Sequence, residues 1–160
     1  MTTPLEETFG KQLLMQDKSV DLQALLQSGA EFFCIYFGAH WAPPCRLFTP
    51  ALSEFYQKIN HQQNQEQPGT KKIEIVFCSI DGNEAAFDRN YATMPFAAIP
   101  YTNDQRIQNL KQRFGINGIP TLVVLDRKGD LISFEGRTDI QNHQEGAIEL
   151  WQKKASALNQ

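Results

Sequence analysis

The sequence predicts an α/β fold in a single domain spanning residues 1–160. Apolar runs of strand length alternate with segments whose apolar residues recur at helical spacing. A glycine-containing turn joins the last two strand candidates, as in an antiparallel hairpin. No internal repeat or linker divides this succession, and the length suits one domain. We therefore expect a central mixed β-sheet flanked by helices.

The first half of the chain predicts short elements, then a central strand and a long helix. Residues 9–15 are a weakly patterned strand candidate, and Ser19 or Asp21 can begin a brief helix. Residues 31–38 form a continuous aromatic and aliphatic run, typical of a strand that is buried on both faces. Over 45–60 the apolar residues gather on one helical face. A loop must therefore connect this strand directly to this helix.

The second half continues the alternation, which predicts a parallel pair of strands followed by an antiparallel hairpin. The expected elements are an exposed connector over 61–69, a strand over 73–80, a helix over 83–91, a helix from Asp104 to Gly115, hairpin strands over 121–125 and 131–134, and a last helix that starts at Asp139.

Composition and charge exclude several functional classes. A net charge of -3, without a local run of lysine and arginine, argues against nucleic acid as a partner. No stretch approaches the roughly 18 apolar residues that span a bilayer, so a membrane partner is not expected. The acidic start, with Glu6 and Glu7, does not resemble a targeting sequence, and we expect a cytoplasmic protein.

The cysteines and histidines do not predict a metal or a cofactor. Cys34 and Cys78 lie inside apolar strands, where a reduced thiol packs as a small hydrophobe. His61 and His143 have no cysteine or carboxylate at ligand spacing, so no metal site is predicted. His40 precedes the loop and is either solvated or able to tune a nearby thiol. The glycines form no phosphate-binding motif, and no cofactor is expected.

The loop from Trp41 to Arg46 has the form of a dithiol redox site that lacks its first cysteine. Such a site needs a thiol of lowered pKa at a helix start and a second thiol one turn away. Here Ala42 occupies the leading position, Pro43 and Pro44 follow, and Cys45 is the surviving thiol. A methyl group cannot ionise or attack a disulfide, so the two-thiol cycle is closed to this chain.

These residues carry a resemblance to the tryparedoxin and nucleoredoxin family, whose signature normally reads Trp-Cys-Pro-Pro-Cys-Arg. The similarity covers about residues 31–137 and implies a thioredoxin fold with a cis-proline loop. It is carried by Trp41-Ala42-Pro43-Pro44-Cys45-Arg46-Leu47-Phe48-Thr49-Pro50, Val76-Phe77-Cys78-Ser79, Tyr91 to Tyr101, and Gly118-Ile119-Pro120-Thr121-Leu122. The chain departs from tryparedoxins at Ile80-Asp81-Gly82, where those proteins carry a tryptophan and acidic residues, so a nucleoredoxin-like relative fits better.

The resemblance also implies roles for individual residues. Pro120 would be the cis-proline that faces the loop, and the Ile119 backbone would pair with an extended substrate segment. Trp41 would shield the reacting sulfur, and Arg46 would place a charge on the following helix. Ala42 stands where the family holds its nucleophilic cysteine, and Cys45 would be the resolving thiol or a packing cysteine beneath the loop.

Two functional hypotheses follow. The first is a protein-disulfide oxidoreductase that is inactive as printed, with disulfide-containing proteins and a dithiol reductant as partners. The second is a redox-silent binding module or a subunit of a larger assembly that holds a stable protein partner. Either an engineered replacement or a natural loss explains Ala42. Single-thiol chemistry at Cys45, such as capping by glutathione, is a third possibility.

Overall fold

In the computed structural model, which describes residues 3–102 and 104–159, helices and strands alternate along the chain. A single 3-10 turn, Gln144–Gly146, separates the last two helices. In chain order the elements are α1 (Pro4–Phe9), β1 (Gln12–Met15), β2 (Lys18–Asp21), α2 (Leu22–Leu26), β3 (Phe32–Gly38), α3 (Pro43–Glu66), β4 (Ile73–Ser79), α4 (Glu84–Tyr91), β5 (Ala97–Ala98), α5 (Asp104–Arg113), β6 (Thr121–Asp126), β7 (Leu131–Ser133), α6 (Gly136–His143) and α7 (Ala147–Leu158).

The strands in the described residues form one mixed sheet in the order β2-β1-β5-β4-β3-β6-β7. β3 pairs in parallel with β4, and β4 pairs in parallel with β5. The β6–β7 hairpin joins the other side of β3 in antiparallel orientation. The predicted α/β class with a mixed sheet is therefore confirmed, and the strand predicted over 31–38 lies inside the sheet, between β4 and β6.

Both faces of the sheet are covered by helices, which explains the uninterrupted apolar run of β3. Tyr36 lies in a core with residues of α3, α4, α6 and α7. Its neighbours Ile35 and Phe37 lie in the opposite core with residues of α1, α2 and α5. Side chains alternate between the faces of a strand, so a strand covered on both faces needs apolar residues at every position.

The amino-terminal elements correct the predicted strand over 9–15. A helix occupies Pro4–Phe9, because the Thr3 hydroxyl accepts a hydrogen bond from the Glu6 amide at 3.2 Å and Pro4 suits the first turn. The strand begins only at Gln12. Asp21, one of the two predicted caps, does start α2, where its carboxylate accepts a hydrogen bond from the Gln23 amide at 2.9 Å.

Two later boundaries also differ from the predictions. The segment over 61–69 is mostly exposed, but α3 continues to Glu66 because glutamine and glutamate favour helix and an exposed helix needs no apolar face. The last helix was predicted to start at Asp139, yet α6 already begins at Gly136. Asp139 is buried and accepts hydrogen bonds from Ser133 and Trp151, so it anchors the two helices instead of capping one.

Candidate active site

The loop after β3 places Ala42 directly before the first turn of α3. The Ala42 side chain makes no capping hydrogen bond, and Pro43 and Pro44 fill positions where a missing N–H costs little. The first helical N–H therefore belongs to Cys45, which donates to the Ala42 carbonyl at 3.0 Å. Positions 42 and 45 lie one turn apart at the positive end of a 24-residue helix.

Cys45 lies beneath the loop, with only 1% of its surface exposed. Burial raises the pKa of the Cys45 thiol, and the carboxylate of Asp81 adds to the rise. Three contributions lower the Cys45 pKa and oppose this rise: hydrogen bonds from the Ala39 backbone and the Tyr36 hydroxyl, and the charge of Arg137. A buried thiol of raised pKa is a poor nucleophile, which disfavours capping of Cys45 by glutathione.

Tyr36 supports the thiol from inside the sheet. Its hydroxyl lies 2.6 Å from the Thr49 hydroxyl on α3, one turn beyond Cys45. Burial raises the Tyr36 pKa, so the phenol remains protonated and can donate a hydrogen bond. Gly38, two residues later, is required by this packing, because a Cβ there would meet the Tyr36 ring at 2.8 Å. Tyr36 therefore packs against the end of β3 and also contacts the first turns of α3.

A buried carboxylate holds the loop to the neighbouring strand. Asp81, just beyond β4, accepts hydrogen bonds from the His40 amide at 2.9 Å and the Ser79 hydroxyl at 2.7 Å. The Asn90 side chain of α4 lies 3.4 Å from the same carboxylate. Asp81 is 5% exposed, so these bonds form away from water, where they are strongest. The conformation of residues 39–42 thus depends on Asp81.

The exposed side chains of the loop are positioned by backbone carbonyls. Arg46 donates to the His40 carbonyl at 2.7 Å, which holds the guanidinium against the loop. Trp41 is 63% exposed, and its indole N–H lies 3.5 Å from the Ile80 carbonyl. His40 is exposed and contributes its backbone amide and carbonyl to these bonds.

The segment before β6 faces the loop across a cavity. The Ile119–Pro120 peptide bond is cis. Pro120 is buried and Ile119 is half-buried. A cavity of about 360 Å³ is lined on one side by Trp41 and Ala42 and on the other by Ile119. The structure therefore brings together the start of α3 and the proline segment that the sequence singled out.

A second cavity lies on the other side of the same segment. It measures about 370 Å³ and is lined by Pro120, Phe134 and Arg137, among others. Phe134 is 46% exposed and contacts Phe114 edge to face, with ring centroids 6.2 Å apart. The Arg137 charge acts on Cys45, as described above. Each side of the Ile119–Pro120 bend thus has its own cavity.

Sequence reasoning missed three groups at this site. Asp81 could have been found, because the carboxyl ends of the parallel strands β3 and β4 meet at one sheet edge. Tyr36 and Arg137 carry no local signal, since one lies within an apolar run and the other in a polar helix start. Their proximity to Cys45 is a property of the folded chain alone.

The other cysteines lie far from solvent, as predicted. Cys34 and Cys78 are fully buried, and burial raises the pKa of Cys78 to about 12. Cys34, Cys45 and Cys78 are all free. Within residues 3–102 and 104–159, no group of three His, Cys, Asp or Glu side chains could hold a metal ion. None of the helices in the same residues is long and apolar enough to cross a membrane.

Comparison with known proteins agrees with this geometry. A family profile described as thioredoxin-like matches residues 30–131. Nucleoredoxin from Bos taurus is 38% identical over 135 residues, which cover 79% of this chain and 29% of that protein. Tryparedoxin from Trypanosoma brucei brucei is 36% identical over 140 residues, covering 87% of this chain and 90% of that protein. The solved structure of tryparedoxin from Trypanosoma brucei has a TM-score of 0.79 at 32% identity and covers 94% and 99% of the two chains.

These matches identify the family, and they cover very different shares of the two relatives. The chain spans less than a third of the length of the nucleoredoxin it matches, whereas it covers nearly all of tryparedoxin. The matched residues include the loop with Ala42 and Cys45 and the whole of β6, the strand that follows Pro120. The predicted thioredoxin fold is confirmed, and the chain belongs to the thioredoxin-like family that includes the nucleoredoxins and tryparedoxins.

Proposed function

We propose that this site performs thiol–disulfide exchange when residue 42 is cysteine, and that the chain with Ala42 is inactive. The observation that carries the proposal is the position of Ala42, at the start of α3 and across a cavity from Ile119. A sulfur at this position would sit at the positive end of a helix, which lowers a thiol pKa. Cys45 lies one turn further along, where a resolving thiol is needed.

The exchange reaction balances in two steps. The thiolate at position 42 attacks one sulfur of a substrate disulfide, so a mixed disulfide forms and the other substrate sulfur leaves as a thiolate that takes up a proton. The Cys45 thiol then gives up its proton and its sulfur attacks the sulfur at position 42, so the 42–45 disulfide forms and the bond to the substrate breaks. The departing substrate sulfur takes up a proton, and the substrate is released as a dithiol. Two electrons pass to the substrate, and a dithiol reductant reduces the new 42–45 disulfide.

Other residues of the loop and the proline segment position the substrate. The Ile119 backbone pairs with an extended segment of the substrate, and Pro120 fixes the approach to position 42. Trp41 covers the reacting sulfur with its exposed indole. Arg46 supports the loop through the His40 carbonyl and adds a positive charge beside the helix start.

An insulin-reduction assay tests this proposal. Ala42→Cys is expected to accelerate the precipitation of reduced insulin by dithiothreitol, whereas the parent chain and a matched Ala42→Ser variant give the uncatalysed rate. Adding Cys45→Ser to Ala42→Cys is expected to stop turnover, because the mixed disulfide can no longer be resolved within the chain. An Ala42→Cys protein that folds normally and shows no rate above background would refute the proposal.

A second candidate function is a redox-silent binding module. Ala42 favours it, since the groove beside Ile119 and the exposed indole of Trp41 remain in place without any reacting sulfur. Such a module or subunit holds a stable protein partner. Purification from the source cells under native conditions is expected to yield a stoichiometric complex in that case, and an isolated chain if the protein works as a catalyst.

We also propose the cytoplasm as the compartment and one folding unit over 1–160. Three free, buried cysteines suit a reducing compartment. Fluorescence microscopy of a tagged chain tests the compartment. A single urea unfolding transition, superimposable by tryptophan fluorescence and circular dichroism, is the result expected of one domain.

A further inference from the structure

We propose that the groove on both sides of Ile119 selects extended peptide segments in which acidic side chains flank the residue placed at position 42. This inference rests on the proposed function, because it uses the same groove. It names the substrate class that the groove recognises: acidic peptide segments, as opposed to neutral or basic ones. The observations that carry it are two positive charges without an ion-pair partner among the residues that the structure describes.

The two cavities share the segment over 116–119, so they lie on opposite sides of one short stretch of backbone. The cavity beside Trp41 is lined by Lys111, and the cavity beside Phe134 is lined by Arg137. Among the described residues that line the two cavities there is no aspartate or glutamate. Each side of the bend therefore presents one cation and no anion.

Neither cation has an oppositely charged partner among the described residues. No ion pair or side-chain hydrogen bond joins Lys111 or Arg137 to another described residue. The Arg137 Nε atom is buried and lacks a hydrogen-bond partner. A buried donor without a partner costs free energy, and a carboxylate is the acceptor that relieves this cost best.

Other arginines of the chain show the contrast. Arg113, two residues after Lys111, donates to the Thr8 hydroxyl at 2.7 Å. Arg127 donates to the carbonyls of Ala30 at 2.6 Å and Leu26 at 3.0 Å. These side chains hold elements together, whereas Lys111 and Arg137 line cavities and make no such bond to a described residue.

An extended peptide fits two cavities that share one stretch of backbone. Successive side chains of an extended segment point to opposite sides, about 3.3 Å apart along the backbone. A segment lying along Ile119 would therefore send neighbouring side chains toward the two cavities. Acidic residues one position before and two positions after the central residue would point to opposite sides, one toward Lys111 and the other toward Arg137.

Peptide binding to the parent chain tests the proposal without any redox step. Fluorescein-labelled peptides with a central S-methylcysteine and flanking Glu, Gln or Lys residues are titrated with the protein, and anisotropy gives the affinity. We expect the Glu peptide to bind about fivefold tighter than the Gln peptide, and the Lys peptide to bind weakest. The preference should shrink between about 0.02 and 0.5 M salt, as ionic screening increases.

Charge reversal provides the sharper comparison. Lys111→Glu alone is expected to remove the preference for the Glu peptide. The double variant, Lys111→Glu with Arg137→Glu, is expected to invert it. Lys128→Glu is the matched control, because it makes the same change in an exposed turn at the far end of β6 and should preserve the preference. Lys111→Glu keeps the test decisive should the half-buried Arg137 position not tolerate substitution.

Three results would overturn the inference: equal affinity for the Glu and Gln peptides, no binding of any peptide, or equal loss of preference in Lys128→Glu. Displacement of the Glu peptide by oxidised glutathione at equal concentration would also overturn it, by assigning the charges to a small anionic disulfide. Failure of the Ala42→Cys turnover assay would refute the proposed chemistry and leave this charge preference standing, so the two outcomes are distinguishable.

Discussion

Replacement of Asp81 by alanine is expected to be the most damaging single change at the site. The side chain accepts two short hydrogen bonds, from His40 at 2.9 Å and from Ser79 at 2.7 Å, and it is almost fully buried. A hydrogen bond to a charged group contributes about 1.5–3 kcal/mol, so Asp81→Ala should lower the free energy of unfolding by about 3–5 kcal/mol. For a chain of this size, the melting temperature should fall by on the order of 10 °C.

Urea unfolding followed by fluorescence measures this change, with Asp88→Ala as the matched control. Asp88 is exposed on α4, and its removal should alter stability by less than about 0.5 kcal/mol. Asp81→Asn should cost less than Asp81→Ala, because the amide oxygen can still accept from His40. It should also lower the Cys45 pKa, since the Asp81 charge raises it. A loss below about 1 kcal/mol in Asp81→Ala would refute the role of this carboxylate in holding the loop.

Two further predictions concern groups away from the loop. Burial raises the pKa of Glu74 above its ordinary value despite the nearby Lys71. The Glu74 carboxyl therefore contributes most to folding stability below the unfolded pKa of 4.5. This contribution is lost as the pH rises through the higher pKa of the folded state. Glu74→Gln should therefore gain stability relative to the parent as pH rises through that window, and a difference in urea midpoint that does not vary with pH would contradict this. Trp151→Phe should destabilise the fold by about 1.5–3 kcal/mol, because the indole donates to Asp139 at 2.9 Å; calorimetry showing an unchanged melting temperature would exclude that bond as a contributor.

The sequence predicted the elements whose position in the sheet leaves a pattern in their own residues. β3 reads as a doubly buried strand because helices cover both its faces, and the turn at Gly129 joins β6 and β7 because glycine adopts its positive φ of 88° there. The short strands β2 and β5 escaped prediction. β5 has only two residues, and its pairing with β4 and β1 is a long-range contact that leaves no local pattern.

The site shows the same contrast between local motifs, which the sequence reveals, and long-range contacts, which it does not. The loop from Trp41 to Arg46 and the Ile119–Pro120 segment are contiguous motifs, so both could be read directly from the chain. Asp81 and Arg137 reach Cys45 from other elements, and their influence depends on tertiary packing. The apolar surroundings that raise the Cys45 pKa likewise come from residues distant in sequence, and only the structure shows them.

The central claim is that positions 42 and 45 form one dithiol site, and disulfide formation in Ala42→Cys tests it most directly. The two positions lie one helical turn apart, within reach of a disulfide. After mild oxidation, mass spectrometry of the digested protein should find a single peptide that contains residues 42–45 and has lost two hydrogen atoms, reversibly with dithiothreitol. An oxidised protein that instead retains both thiols, or links only between molecules, would contradict the claim.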